Sequence, residues 1–233
     1  MGNKGYVAGA YAHPGSAHPE VSIDFVYSHS QPGEAVSAIH QDLFSHKLRF
    51  TDKVNPEVNS FLCLGHGQSA TFLQKHAFSS QTQIIDLGND FRLKADSLQG
   101  EREFVYGLVA ANREKIKAAR NIANPGCFAT AIQQGLLPLA HAGLLQSEVH
   151  IHAITGSTGA GTKPQDTTHF SWRNNNISIY KAFRHQHLGE IGETLRAFQP
   201  GFAQALRFCH CAATSPEFSP ASTRTAICRK GHC

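Results

Sequence analysis

The chain has 233 residues, of which 41% are hydrophobic and 16% charged; these proportions exclude a disordered polypeptide and predict one or two globular domains. The formal charge of +4 suits anionic ligands but is too small to favour a nucleic-acid partner. No apolar run is long enough for a membrane span, and the first residues lack the apolar core of a secretory signal. We therefore expect a cytoplasmic protein without a membrane partner.

Six cysteines are distributed unevenly, and four of them fall within the last 25 residues. Nothing in the sequence marks a secreted chain, so a disulfide framework is not expected. The four cysteines of the tail also lack the paired spacing of a structural zinc site. The sequence therefore predicts no bound metal.

The first half of the chain alternates strand-like and helix-like segments. Residues 21–27 alternate apolar and polar side chains, and short apolar runs occupy residues 61–64 and 83–87. Residues 71–76 favour a helix. This alternation predicts a doubly wound parallel sheet, whose ligands gather beyond the carboxyl ends of the strands. Gly67 and Arg92 follow two of those ends.

The second half begins with a helical pattern over residues 127–142 and a strand-like alternation over residues 149–154. The strand leads into a loop with three glycines within residues 155–161, a composition that lets backbone approach a ligand closely. The loop lacks the Gly-Lys-Ser/Thr ending of a Walker P-loop, and a plain flexible turn is the alternative. Residues 188–198 favour another helix, whereas residues 10–17 and 209–233 show no apolar period.

Cys127 is the strongest candidate for chemistry. It stands at the predicted start of a helix, where unsatisfied N–H groups and the helix dipole stabilise negative charge. Only the thiolate is a good nucleophile, and His185 or His187 could act as its base. The alternative is a buried cysteine that merely packs. Arg92 could hold a phosphate or carboxylate through two hydrogen bonds, although a solvated arginine is the commoner case.

Several motifs in this order carry a family resemblance. Residues 124–130 (NPGCFAT), 153–161 (AITGSTGAG), 169–176 (HFSWRNNN) and 180–191 resemble the N-acetyl-gamma-glutamyl-phosphate reductase family of arginine biosynthesis. Upstream, residues 84–92 and 106–108 also fit. The resemblance covers about residues 18–208, a span far beyond a short-motif coincidence. This family is similar in fold and chemistry to aspartate-semialdehyde dehydrogenase.

The resemblance implies an α/β protein with two domains. Residues 1–125 are expected to form a Rossmann-type NADP-binding domain whose first strand is missing. Residues 126–233 are expected to form a truncated α/β catalytic and dimerisation domain with an anomalous tail at residues 209–233. The expected product is N-acetylglutamate 5-semialdehyde, formed from the acyl phosphate and NADPH, and the expected assembly is a homo-oligomer, either a dimer or a tetramer.

The resemblance also implies a role for individual residues. Cys127 is expected to be the nucleophile and His187 the general acid/base. Arg92 is expected to hold the substrate phosphate, with His185 and Asn124 in the substrate pocket. The residues expected to contact NADP(H) are Gly5, Gly9, Ser28, Ser30, Gly67, Gly156, Ser157, Gly159 and Gly161.

Three other functions are compatible with parts of this pattern. A cysteine-histidine hydrolase or acyltransferase would use Cys127 and His187 with water or an amine as acceptor. An inactive remnant would only associate with subunits of a full-length homologue. A metal-binding tail is a weaker third possibility. The glycine-rich loop and the β/α first half favour the reductase.

Overall fold

The computed structural model describes residues 19–63, 65–146, 148–156, 159, 166–174, 176–203, 205–213 and 224–229. These residues form two compact units. The first comprises the chain up to Gly107 together with Glu114–Asn124. The second comprises Leu108–Arg113 together with the chain from Pro125 onward.

The first unit contains a parallel sheet with one antiparallel edge strand. Its elements in chain order are β1 (Val26–Tyr27), β2 (Phe50–Thr51), β3 (Ser60–Cys63), α1 (Ser69–Lys75), β4 (Gln83–Asp86), β5 (Leu98–Gln99), β6 (Arg102–Tyr106), α2 (Val109–Ala118, whose last five residues belong to this unit) and β7 (Asn121–Ala123). The five-stranded sheet has the order β3-β4-β7-β6-β5. The strands β3, β4, β7 and β6 are mutually parallel, and β5 runs antiparallel to β6. Their carboxyl ends therefore meet at one edge of the sheet.

Strand alternation explains how this sheet packs. In β3, Phe61 and Cys63 are buried, and Phe61 stacks on Phe72 of α1 with ring centroids 5.5 Å apart. On the same core, Phe91 stacks on Phe104 at 4.0 Å. The side chains are large and aromatic, so a sheet whose strands have only two to five residues still buries a substantial apolar area.

The second unit places two helices against a mixed sheet. Its elements are α3 (Cys127–His141), β8 (Val149–Gly156), α4 (Phe170–Arg173), β9 (Ile177–Tyr180), α5 (His187–Phe198), β10 (Leu206–Ala213) and β11 (Arg224–Arg229). The sheet order is β11-β8-β10-β9. Strand β8 pairs in parallel with β10 and antiparallel with β11. Fully buried Ile132, Leu136, Ile151, Ile191 and Leu195 form the apolar interior of this unit.

Two expectations about secondary structure are wrong. The strand predicted over residues 21–27 is limited to β1, two residues that pair in parallel with β2. The tail from residue 209, expected to be anomalous because it shows no apolar period, instead continues β10 through Ala213 and supplies β11. In both places pairing with a distant strand decides the outcome, and local apolar alternation does not reveal it.

Within the described residues, no helix combines the length and the apolar character that crossing a bilayer requires.

Candidate active site

In the second unit, Cys127 is the first residue of α3 and is exposed. Gly126 is the helix N-cap, with φ −66° and ψ 151°, and it offers no side-chain cap. The carbonyl of Gly126 accepts the first helical hydrogen bond, from the Thr130 N–H at 2.8 Å. The earlier N–H groups of this turn have no acceptor within the helix. The helix dipole at this end favours negative charge on the Cys127 thiol.

The imidazole of His187 lies directly against Gly126. A Cβ atom built on Gly126 would stand 2.2 Å from Nε2 of His187, 2.5 Å from Cε1 and 2.6 Å from Cδ2. Such distances are far inside van der Waals contact, so only glycine fits at position 126. The ring of His187, which is 6% exposed, is thus brought against the residue that immediately precedes Cys127.

Two neighbours orient His187. It begins α5, and its N–H donates to Nδ1 of His185 at 3.2 Å. When His185 is neutral, this bond requires its proton to be on Nε2. The His185 and His187 rings lie 4.4 Å apart, and Phe128 meets the edge of His185 at 5.7 Å. The two histidines and the start of α3 therefore form one packed cluster.

The sequence prediction missed Glu190 as a site residue. Its side chain is 4% exposed. Oε2 accepts the Gly126 N–H at 3.2 Å, and Oε1 lies 3.9 Å from Nε2 of His187. Glu190 follows His187 by three residues, which places both on one face of α5. That spacing, next to a candidate base, was the available signal.

In the first unit, three predicted residues lie at the edge formed by the carboxyl ends of the parallel strands. Gly67 follows β3, Arg92 follows β4 and Asn124 follows β7. Nε of Arg92 donates to the Asn124 carbonyl at 2.9 Å, and the Asn124 N–H donates to the Asp86 carbonyl at 2.7 Å. The structure therefore brings Arg92 and Asn124 together, with both backbone polar groups of Asn124 engaged.

Gly67 lies in the same edge but its N–H is already bonded. It donates to Oδ2 of Asp90 at 2.9 Å and to Oδ1 of Asn89 at 3.1 Å. Its φ of +66° is one that glycine adopts readily. Any contact between Gly67 and a ligand would therefore use the Cα face or the carbonyl.

Near that edge, the Asp86 carboxyl and the Cys63 thiol are both buried. Oδ1 of Asp86 accepts the Ser69 hydroxyl at 2.6 Å and the Gly88 N–H at 2.9 Å. Burial raises the pKa of the Asp86 carboxyl, although these two hydrogen bonds oppose the shift. Burial, with a further contribution from Asp86, raises the pKa of the Cys63 thiol to about 12. Cys63 is therefore an inert core thiol at neutral pH, in contrast to the exposed Cys127.

The remaining predicted contacts to the cofactor fall in three places. Ser28 is buried directly after β1, and its N–H donates to the Thr51 carbonyl at 2.8 Å, whereas Ser30 is exposed. Gly156 is buried at the end of β8, and Gly159 is exposed. Gly5, Gly9, Ser157 and Gly161 lie outside the described residues.

Two family models match consecutive parts of the chain. Residues 1–119 match the model described as semialdehyde dehydrogenase, NAD binding domain. Residues 127–215 match the model described as semialdehyde dehydrogenase, dimerisation domain.

Curated relatives are considerably closer in sequence than solved structures. An N-acetyl-gamma-glutamyl-phosphate reductase of Flavobacterium johnsoniae is 55% identical over 210 residues, which cover 89% of this chain and 65% of the relative. A reductase of the same name from Christiangramia forsetii is 50% identical, covering 89% and 64%. The chain thus spans about two thirds of the length of these relatives.

Solved structures support the fold. The aspartate semialdehyde dehydrogenase II of Vibrio cholerae, complexed with ASA, gives a TM-score of 0.64 at 13% identity over 91% of this chain and 68% of that one. The aspartate semialdehyde dehydrogenase of Candida albicans with NADP gives 0.63 at 12% identity, covering 91% and 66%. The family-model match over more than half of the residues, supported by these relatives, shows that the chain belongs to the semialdehyde dehydrogenase family.

Proposed function

We propose that this chain carries the catalytic centre of an NADPH-dependent N-acetyl-gamma-glutamyl-phosphate reductase. The observation that carries the proposal is the packing of His187 on Gly126, which brings an imidazole next to an exposed cysteine at a helix start. The curated relatives with this activity are 55% and 50% identical. The two compact units would then be a cofactor-binding domain, near residues 1–125, and a catalytic domain, near residues 126–233.

The chain's own residues suggest the chemical steps. The Cys127 thiolate attacks the acyl-phosphate carbon, the phosphate leaves, and a thioester forms on Cys127. The N–H groups in the first turn of α3 stabilise the oxyanion that develops on the carbonyl oxygen. NADPH, when bound, supplies the hydride that reduces the thioester. His187, which takes the proton of the Cys127 thiol when the thiolate forms, donates this proton to the resulting oxyanion. It takes the proton back when the hemithioacetal collapses to the aldehyde and the Cys127 thiolate leaves.

We assign Glu190 to positioning. Its carboxylate holds the Gly126 N–H on one oxygen and faces His187 with the other. The carboxylate therefore stabilises the positively charged imidazole that forms during proton transfer. Arg92 is assigned to the substrate phosphate, and His185 and Asn124 to the substrate pocket.

The loop after β1 fits the 2′-phosphate of NADP(H). It contains Ser28 and Ser30, and the carboxylate that follows, Glu34, accepts a hydrogen bond from the Gln31 side-chain amide at 3.0 Å. The guanidinium of Arg49 adds a cation, because its Nη1 donates to the Gly33 carbonyl at 2.7 Å. Ser28, Ser30 and Arg49 would hold the phosphate.

The decisive assay follows NADPH oxidation with N-acetylglutamyl 5-phosphate, comparing the chain with Cys127→Ser. We expect phosphate-dependent turnover that the substitution abolishes. Release of N-acetylglutamate without NADPH consumption would instead establish a hydrolase. A folded chain that binds NADPH but turns over neither way would establish the inactive remnant.

We also propose that the second unit self-associates through its exposed sheet edge. Ile177 and Ile179 of β9 are 57% and 65% exposed, and β9 is an edge strand. Exposed apolar edge strands pair readily with another copy, and the match to a dimerisation domain covers this strand. Light scattering of Ile179→Lys should show a smaller assembly than wild type, whereas an unchanged mass would place the interface elsewhere.

A further inference from the structure

The loop that follows β3 is held by hydrogen bonds to side chains of the loop that follows β4. This β3 loop, residues 65–68, has a buried first residue, Gly65, and three exposed ones, His66, Gly67 and Gln68. Both loops extend from the carboxyl ends of neighbouring parallel strands, where ligands of such sheets gather. The exposed residues 66–68 therefore lie at this edge of the sheet, where Asn89 and Asp90 of the β4 loop accept the Gly67 N–H.

Asp90 accepts two hydrogen bonds that hold this loop in place. Its Oδ2 accepts the Gly67 N–H at 2.9 Å, and its Oδ1 accepts the Ala70 N–H at 3.2 Å. The Ala70 N–H belongs to the first turn of α1, whose N–H groups have no acceptor in their own helix. Gln68, the N-cap of α1, makes no side-chain capping bond. One carboxylate thus caps α1 and fixes the β3 loop at the same time.

At Gly88 the β4 loop approaches the β3 loop closely. A Cβ atom there would stand 2.9 Å from the Gly65 carbonyl oxygen, 2.9 Å from Oδ1 of Asp86 and 3.0 Å from Oδ2 of Asp90. The two loops are therefore in contact at their backbones. Below them, the Ser69 hydroxyl donates to Oδ1 of Asp86 at 2.6 Å, and its oxygen lies 3.3 Å from the Gly65 carbonyl oxygen. The β3 loop has little freedom to move away from Asp90.

We propose that Asp90 is a positioning residue for the nicotinamide cofactor: it fixes residues 66–68 as a rigid wall of the cofactor site. The inference rests on the proposed function, because it takes NADPH as the ligand. The wall contacts an uncharged part of the cofactor, a ribose or a ring, and not a phosphate. The Gly67 N–H that a phosphate would use is already bonded to two side chains, and the Asp90 carboxylate beneath it would repel an anion.

The test measures NADPH binding directly, by the fluorescence of the reduced cofactor, on wild type, Asp90→Asn and Asp90→Ala. Alanine removes both acceptors, and we expect a rise in Kd of about tenfold or more, the usual cost of losing charge-assisted hydrogen bonds. Asparagine retains one oxygen acceptor, so we expect a rise of about threefold. Asp96→Asn, an exposed aspartate in the same unit, serves as the matched control and should leave the Kd unchanged.

Steady-state kinetics separate positioning from general damage. We expect the KM for NADPH to rise with the Kd, while kcat and the KM for the acyl phosphate stay within about twofold. A thermal melt of each variant measures the stability that is lost with the α1 cap. A loss of stability alone would not change the KM for NADPH selectively. An unchanged Kd in a folded Asp90→Ala, or a fall in kcat at constant KM, would overturn the proposal.

A parallel measurement identifies which part of the cofactor contacts the wall. The Kd of 2′-phospho-AMP, which lacks the nicotinamide half, should not change in Asp90→Ala if the wall meets the nicotinamide ribose or ring. A matching loss for this fragment assigns the wall to the adenosine ribose or base, also an uncharged part. An equal loss for inorganic pyrophosphate would contradict the proposal. If wild type binds NADPH but does not turn over, the proposed function fails and the binding comparison still decides this inference.

Discussion

Each of the two regions that carry predicted site residues is stabilised internally, and the contacts that do so differ between them. Around Asp86 and Asp90, carboxylates from one loop accept N–H groups from another. Around Cys127, the His187 ring lies on Gly126 with no intervening space. Both regions contain a closely packed glycine, but a Cβ built on Gly88 would stand 2.9 Å from its nearest atoms, whereas a Cβ built on Gly126 would stand 2.2 Å from His187. Close-packed contacts tolerate little displacement. We therefore expect the second region to be the more sensitive to small substitutions.

The largest effect is expected at Gly126. In Gly126→Ala the new methyl group would overlap His187 at 2.2 Å, so the imidazole must move away from Cys127. We expect kcat to fall by about a thousandfold or more, because a displaced base and nucleophile lose their alignment. The measurement is kcat together with a thermal melt. Gly201→Ala is the matched control, since a Cβ at that position meets no atom within 4 Å, and it should behave as wild type.

Thiol reactivity compares the two regions in a single experiment. Cys127 is exposed, while Cys63 is buried with its pKa raised to about 12. Alkylation of the native protein at pH 8 with iodoacetamide should therefore modify Cys127 at least about a hundredfold faster than Cys63. Peptide mass spectrometry after a time course gives both rates. Comparable modification of Cys63 in the native state would show that the first region opens readily.

Glu190 should be less sensitive than Gly126. Glu190→Ala removes the acceptor of the buried Gly126 N–H and the charge facing His187, and we expect kcat to fall about ten- to a hundredfold. Glu190→Gln keeps an oxygen for the Gly126 N–H and should retain more activity than alanine. Glu193→Gln on the same helix should have little effect. If glutamine is as damaging as alanine, the charge and not the hydrogen bond is what matters.

The smallest effect concerns pH and the first region. The pKa of Asp86 is raised above its ordinary value of 3.8 by burial. The fold thus favours the protonated form, and this contribution to stability is present below the unfolded pKa and is lost as the pH rises through the folded pKa. We expect Asp86→Asn, which stays neutral, to lose less stability than wild type between pH 4 and pH 7. Urea denaturation at several pH values tests this, and parallel pH profiles for the two proteins would contradict it.

The sequence predicted the elements whose patterns are local. The helices α3 and α5 begin within one residue of the expected positions, because their apolar faces repeat at helical spacing. Strands β3 and β4 likewise follow from short buried runs. Strands β10 and β11 were missed because they form by pairing with β8, which lies more than fifty residues earlier in the chain.

Prediction of the site was limited in the same way. Cys127, His185 and His187 were identified as candidates, and the structure packs Gly126, His185 and His187 together with the start of α3. Neither the contact between His187 and Gly126 nor the hydrogen bond from Gly126 to Glu190 leaves a mark in the local sequence, since 61 and 64 residues separate the partners. The bonds that occupy the Gly67 N–H depend on the approach of two loops and were likewise hidden.

The most direct test of the central claim is to look for the covalent intermediate on Cys127. The protein is mixed with N-acetylglutamyl 5-phosphate in the absence of NADPH, quenched in acid, digested and analysed by mass spectrometry. We predict one equivalent of phosphate released per active site and an N-acetylglutamyl thioester on the peptide that contains Cys127, which disappears when NADPH is added before quenching. Acylation of a different cysteine, or turnover that survives in Cys127→Ser, would contradict the account.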